Sequence, residues 1–445
     1  MTGSDIPAAG KGAGARLTAR ERRLLIILGL PTFGLALAIT TVSTYLPVVL
    51  QEFTSSTTVI GLIIGGEGLF ALFLPLVIGS WSDGVETRFG RRLPFLIVAA
   101  PVAALALILM PLAPSLLAVA GLALLFFLAY FAFYPPYRAL YPDLVPERMY
   151  GRAQSSQAIF RGVGLGVALV AGGVLLALWQ PLPFVLAALA LLAVTAVLLA
   201  RVEEPRGGHG CCLPHGLRGT IQTVRDLLLG HRDIRSLLLA NALWEFTLAA
   251  LKSFVVLFLV VGLGQSLGVA SLLIGVVAAA SVVAAIVAGK LGDRYGLARV
   301  MRAALWVYGL GLLILFFTQS VLVVAPVIPF IALGGAIVMT LPYGLLMGMM
   351  PAESHGAATG LYGFSRGLGV VFGPLLTGVA IEVLRPSLES TQGYSAMFLV
   401  ASAATLLSIP LMRKATMDER RPTRGLAPEA APISGSVRAE TQSRG

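Results

Sequence analysis

Read for hydrophobic and polar positions, the chain is a series of long apolar runs cut by short polar breaks. The runs fall at 24–50, 58–82, 93–112, 116–140, 153–178, 182–201, 236–261, 269–289, 301–318, 324–350, 359–382 and 394–412. About 20 residues of helix cross a hydrocarbon core. Within lipid, every backbone N–H and C=O of such a segment must find its partner internally, which selects helix over open strand. The pattern therefore predicts an all-α membrane protein with twelve transmembrane helices. A polar tail (1–23) precedes a first six-helix block (24–201). A hydrophilic linker (202–235) leads to a second block (236–412) and a second tail (413–445).

Composition strengthens this reading. The 445 residues are 57% hydrophobic, with a mean hydropathy of +0.89, against about 45–50% apolar residues in soluble domains. The net charge of +11 would suit nucleic acid in a soluble protein, but here the basic residues sit between apolar runs rather than on one face. Counted from an internal N-terminus, Arg16, Arg20, Arg22, Arg23, Arg88, Arg91, Arg92, Arg148, Arg152, Lys290, Arg294 and Arg299 all fall on one side, as do the linker arginines and Arg413. The other side carries only Arg385. The positive-inside rule then puts both termini in the cytoplasm and the chain in the cytoplasmic membrane. The first apolar run is too long for a signal-peptide core.

In the linker, Cys211 and Cys212 lie beside His209 and His215. Adjacent cysteines make poor tetrahedral ligands, so a loop is expected there and no metal or other cofactor. The stretch "TIQTVRDLLLGHRDIRSL" has the pattern of an amphipathic surface helix. The last 30 or so residues are expected to be disordered. No phosphate loop, metal spacing or nucleophile constellation supports an enzyme.

The two blocks echo each other. "GSWSD" (79–83) recurs as "GKLGD" (289–293), each followed by basic residues. "PERMYGRAQSSQAIFRGVG" (146–164) returns as "PAESHGAATGLYGFSRGLG" (351–369). There Pro146/Pro351, Gly151/Gly356, Arg161/Arg366, Gly162/Gly367 and Gly164/Gly369 are identical at a constant spacing of 205. This is a parallel duplication of a six-helix unit.

Two parallel six-helix blocks, a long linker and a charged loop after helix 2 resemble the major facilitator superfamily. "SDGVETRFGRRLPF" (82–95) and "PYRALYPDL" (136–144) are similar to motifs of its glycoside and sucrose cation symporter branch. The resemblance implies alternating access, a small-molecule substrate, and a central cavity lined by helices 1 and 7. Charges at inner helix ends suit contacts made in only one state. Asp83 is thus expected to pair with Arg91, Arg92 or Arg138 and to face helix 11, with Asp143 and Glu147 as further acceptors. A purely topological role for the arginines is the alternative.

Charges at membrane depth are costly and mark candidate sites. Glu67 lies in helix 2, and Glu245 and Lys252 lie in helix 7. Asn241, Glu245 and Lys252 share a helical face. Withdrawal from water penalises a charged carboxylate, so Glu245 is the first candidate for a proton carrier and Glu67 the second. Lys252 works against that penalty, and an ion pair that only holds the helix is the alternative. Arg161 and Arg366, deep in helices 5 and 11, are expected to bond neighbouring helices or to meet a ligand. A polar solute also needs hydroxyl partners and aromatic faces. Thr41 and Tyr45, Tyr134 and Tyr137, Asn241 and Trp244, and Tyr343 are the candidates.

Three functions remain open on the sequence. The first is proton-coupled movement of a small polar solute, expected to be a sugar or glycoside, by a monomer. The second is export of amphipathic compounds, and the third is membrane assembly without transport.

Overall fold

The computed structural model describes residues 18–85, 87, 90–146, 149–202, 204, 232–318, 321–342, 345–346 and 355–417. Twelve long helices run through these residues: α1 (Ala19–Leu50), α2 (Thr57–Gly84), α3 (Leu93–Leu109), α4 (Leu116–Leu144), α5 (Tyr150–Leu178), α6 (Leu182–Arg201), α7 (Arg232–Leu257), α8 (Leu267–Tyr295), α9 (Leu297–Phe317), α10 (Val321–Thr340), α11 (His355–Leu384) and α12 (Ala396–Met417). Nine spans among the described residues are long and apolar enough to cross a membrane, and parts of α8, α10 and α12 form shorter apolar helices.

Polar caps extend several helices past their apolar runs. Thr18 and Glu21 form a reciprocal capping box, which starts α1 five residues before the run and places Arg20, Arg22 and Arg23 on the helix. α7 continues into a π-helical turn, Phe258–Gly262. The run predicted at 324–350 is not one unbroken helix. α10 stops at Thr340, next to Leu341 and Pro342, because proline crowds the helical conformation of the residue before it.

The packing repeats. In the first half α1 packs on α5 and α6, α3 on α4 and α6, and α2 on α4. In the second half α7 packs on α11 and α12, α9 on α10 and α12, and α8 on α10. Adding six to each helix number converts the first set into the second. The seams between halves obey the same operation, α2 on α11 and α5 on α8, while α1 meets α7 at the centre.

The repeated glycines show why. At Gly164 a side chain would run into Phe33 O and Ala36 of α1, and at Gly369 into Ala242 O and Phe246 N of α7. Each glycine lets a first-turn neighbour of the repeated arginine press against the central helix of its own half.

The end where α1 begins and α12 finishes is called here the tail end, and the opposite end the far end. At the far end the halves are tied closely. Glu382 of α11 accepts from Ser56 Oγ (2.8 Å), Thr58 Oγ1 (2.7 Å) and Thr58 N (3.2 Å) at the start of α2. Arg385 donates to Ser55 O, Gln51 to Tyr394, and Thr57 Oγ1 to Gly378 O. The far end is therefore shut.

Candidate functional site

Four ionisable side chains from three helices meet in one small cavity between the halves. α2 supplies Glu67, α7 supplies Glu245 and Lys252, and α11 supplies Arg366; Ser43 of α1 and Ser253 complete the polar lining. Its volume is about 50 Å³, room for one or two waters at about 30 Å³ each. Glu245 and Lys252 are two turns apart and so share a face of α7.

Arg366 Nε stands 3.5 Å from Glu245 Oε2, with the arginine side chain 53% exposed and the glutamate 15%. A guanidinium eleven residues into a membrane helix thus keeps an open side. Ser43 Oγ lies 3.0 Å from Glu67 Oε2 and 2.6 Å from Ile39 O. Its one proton serves one acceptor at a time. Glu245, Glu67, Lys252 and Arg366 all act on one another electrostatically.

A second cluster gathers on α4. Arg161 Nη2 donates to Tyr134 Oη at 3.1 Å, and Arg138 Nη1 donates to the same oxygen at 3.2 Å. The Arg138 guanidinium also lies 5.7 Å from the Tyr134 ring centre. Tyr130 stacks on Tyr134 with centroids 6.0 Å apart and planes 10° off parallel. Arg366 reaches Tyr134 electrostatically as well. Arg161 through a hydrogen bond, and Arg366, one repeat on in sequence, through its charge, both act on the same phenol.

The remaining solute candidates sit elsewhere. Tyr137 is buried within the first half, bonded to Thr32 Oγ1 (2.6 Å), Tyr141 and Leu28 O. Tyr45 is buried at the far-end seam, on Ala168 O, Leu169 O and Ser271 Oγ of α8. Asn241 is buried against Ser365 of α11 (2.8 Å), and Trp244 donates its indole N–H to Ser408 of α12 (2.7 Å). Thr41 is buried in the packing of α1. For Tyr137, Tyr45, Asn241 and Trp244 the buried polar atom takes the partner that burial demands. Asn241 thus shares the sequence face of Glu245 but not its cavity. Tyr343 lies outside the described residues.

The charged loop has a structural core. Arg92 Nε pairs with Asp143 Oδ2 at 2.6 Å. Glu204, just past α6, accepts from the backbone N–H groups of Arg92 (2.8 Å) and Leu93 (3.4 Å). A carboxylate thereby caps the positive N-terminus of α3. Gly90 has φ +104° and lies against Glu204, where a β-carbon would be strained and crowded. Arg91 is half-buried, and Arg138 belongs to the tyrosine cluster. The side chain of Asp83 lies outside the described residues, as do Arg88, Glu147, Cys211, Cys212, the amphipathic stretch up to His231 and the tails at 1–17 and 418–445.

Sequence reasoning passed over Ser43, Glu204 and Glu382. Ser43 follows two threonines on α1 with nothing to single it out. Glu204 was legible only as an acid three residues past an apolar run, and Glu382 as an acid at the end of another.

Comparison with known proteins places this geometry in a family. The chain matches the profile described as Major Facilitator Superfamily over residues 28–211 and 237–441. It is 26% identical over 136 residues to the riboflavin transporter RibZ of Clostridioides difficile (strain 630), a match covering 30% of this chain and 28% of that protein. The chain thus spans less than a third of the curated relative it matches.

Among solved structures, a bacterial homologue of the human lysosomal transporter Spinster, inward-facing and occupied, superposes with a TM-score of 0.75 at 15% identity. That match covers 91% of this chain and 98% of the other. The nucleoside transporter NupG gives 0.70 at 15% identity over 88% and 98%. The D-xylose-proton symporter gives 0.68 at 15% over 88% and 98%. Twelve helices in two repeated halves and a profile spanning both halves lead to one conclusion: the chain belongs to the Major Facilitator Superfamily, as a multi-pass membrane protein.

Proposed function

We propose that this transporter moves a small polar solute, of the sugar or glycoside class, together with a proton, and that Glu245 carries the proton. The observation that carries this reading is the single cavity in which Glu67, Glu245, Lys252 and Arg366 meet between the halves. A carboxylate there gains from Arg366 when charged and loses the cost of desolvation when neutral, so its two protonation states favour different arrangements of α7 and α11. Glu67, held by Ser43, is the second carrier, and Lys252 balances the two acids.

The sugar reading rests on the loop and α4 motifs. Riboflavin, nucleosides and D-xylose, the solutes named for the similar proteins, are all polar and hydroxyl-bearing. The distribution of basic loops supports a cytoplasmic tail end, and with the far end shut it supports a state that opens toward the cell interior. A latch at the tail end then forms in the opposite state from Asp83, Arg91, Arg92, Arg138 and Asp143. The Arg92–Asp143 pair already holds the loop to α4.

Liposomes holding the purified protein and a trapped pH dye test this reading when sugars and cationic dyes are added outside. Acidification on adding a sugar is expected. In Glu245→Gln, acidification should fall to background while exchange of labelled solute across the membrane continues. Coupling that survives in that variant would remove Glu245 from the role. Proton release driven by cationic dyes alone would favour an exporter.

A further inference from the structure

Among the described residues, charge in the middle of the molecule is not balanced. Two carboxylates, Glu67 and Glu245, face four cations: Lys252, Arg366, Arg161 and Arg138. The excess lies on the α4 and α5 side. Arg161 and Arg138 both donate to the neutral phenol of Tyr134, and among the described residues neither is within ion-pair distance of a carboxylate. Arg366, the repeat partner of Arg161, does have a carboxylate, but at 3.5 Å through Nε, with half its side chain open.

A guanidinium presents five N–H donors in a planar fork. Arg161 uses one donor on Tyr134, and Arg366 meets its acid through one nitrogen. Each arginine therefore retains donors, and both side chains are exposed, so these donors are open to a ligand at membrane depth. The simplest group that answers both is an anion brought by the solute.

We infer that the transported solute carries a carboxylate or phosphate group, bound between Arg161 and Arg366 against Tyr134, and that this anion competes with Glu245 for Arg366. The inference rests on the proton-coupled reading above and names its substrate class. It also supplies a reason for coupling. While Glu245 is charged it holds Arg366. A proton on Glu245 releases that arginine, so anion and proton load together and leave together. Glu67 and Lys252, which face the same cavity from α2 and α7, offset each other's charge.

The test uses the full-length protein in lipid nanodiscs, with thermal unfolding followed at mildly acid and at neutral pH. Gluconate is compared with neutral sorbitol, and glucose 6-phosphate with glucose. Stabilisation by the anions and not by their neutral partners, stronger at acid pH, is expected. Arg161→Gln should weaken it at least about tenfold, the loss of one charge-assisted contact. Glu245→Gln should keep anion binding but remove its pH dependence, which a merely structural role of Glu245 would not do.

Arg366→Gln alone would strand a charged Glu245 and risks misfolding. The double variant Arg366→Gln/Glu245→Gln avoids that and should bind the anions weakly at both pH values. Anions that stabilise no better than sorbitol and glucose overturn the inference, and so does unchanged anion binding in Arg161→Gln. The liposome assay separates the two readings. Sugar-driven acidification without anion binding leaves the proton-coupled reading standing and removes this one. Anion binding without proton movement removes the proton-coupled reading and, with it, the exchange at Glu245, and leaves only an anion site between the arginines.

Discussion

Tyr134 and Tyr137 stand three residues apart on α4 and have opposite surroundings. Tyr134 meets two arginines at the centre of the molecule, while Tyr137 is sealed among Thr32, Tyr141 and Leu28 O. Tyr137→Phe leaves the buried Thr32 hydroxyl short of a partner, while Leu28 O keeps Tyr141, at a cost of about 1–3 kcal/mol. The expected outcome is a lower unfolding temperature with solute exchange unchanged, and altered exchange at unchanged stability would put Tyr137 on the solute path. Glu67, Glu245, Lys252 and Arg366 were legible in the sequence because a charge inside an apolar run has few places to go. Asn241, Trp244, Tyr45 and Tyr137 were not, since Ser365, Ser408, Ser271 and Thr32 lie 124, 164, 226 and 105 residues away. No spacing rule reaches that far.

At the scale of helices, α11 works with two glycine faces. Gly369 and Gly373 meet the backbone of α7, while Gly367 and Gly378 meet α2. On α2, Gly61 and Gly65 form a small-residue pair one turn apart against Pro374 O and Val371 O, so the far-end seam is backbone on backbone. A Leu side chain at Gly61 would have to displace Pro374 and Leu375. Gly61→Leu should hold the far end open and slow turnover by an order of magnitude or more, read as a longer spin-label distance across the far end. An unchanged distance would mean that the seam is not what closes it. Run lengths alone disclosed the number and order of these helices, because lipid leaves an apolar segment one structure to adopt. The limits of α1 and the break at Leu341 depended on a capping box and a proline, which hydropathy does not weigh.

For the whole molecule, function is a balance between states shut at one end or the other. Glu382 takes three bonds from Ser56 and Thr58 in the shut far end and loses all of them when α2 and α11 part. Glu382→Ala should shift the population several-fold toward the far-end-open form without changing the fold, as seen in the ratio of two spin-label distances. A ratio equal to that of the parent protein would show that the glycine seam alone decides the balance.

The repeated contact map has a further consequence for the surrounding bilayer. α3 and α6 pack only within the first half, and α9 and α12 mainly within the second, with Val98, Leu105, Leu189, Leu310 and Leu407 turned outward. These supports are 17, 20, 21 and 22 residues long, or about 26 to 33 Å at 1.5 Å per residue. α1, α2, α5 and α11, with 32, 28, 29 and 30 residues, extend well past that. The supports thus set the membrane thickness the protein fits, close to an ordinary hydrocarbon core. Strain from a thicker or thinner bilayer falls first on helices outside both sliding seams, so lipid composition should change how firmly the halves are held upright before it changes how they move against each other.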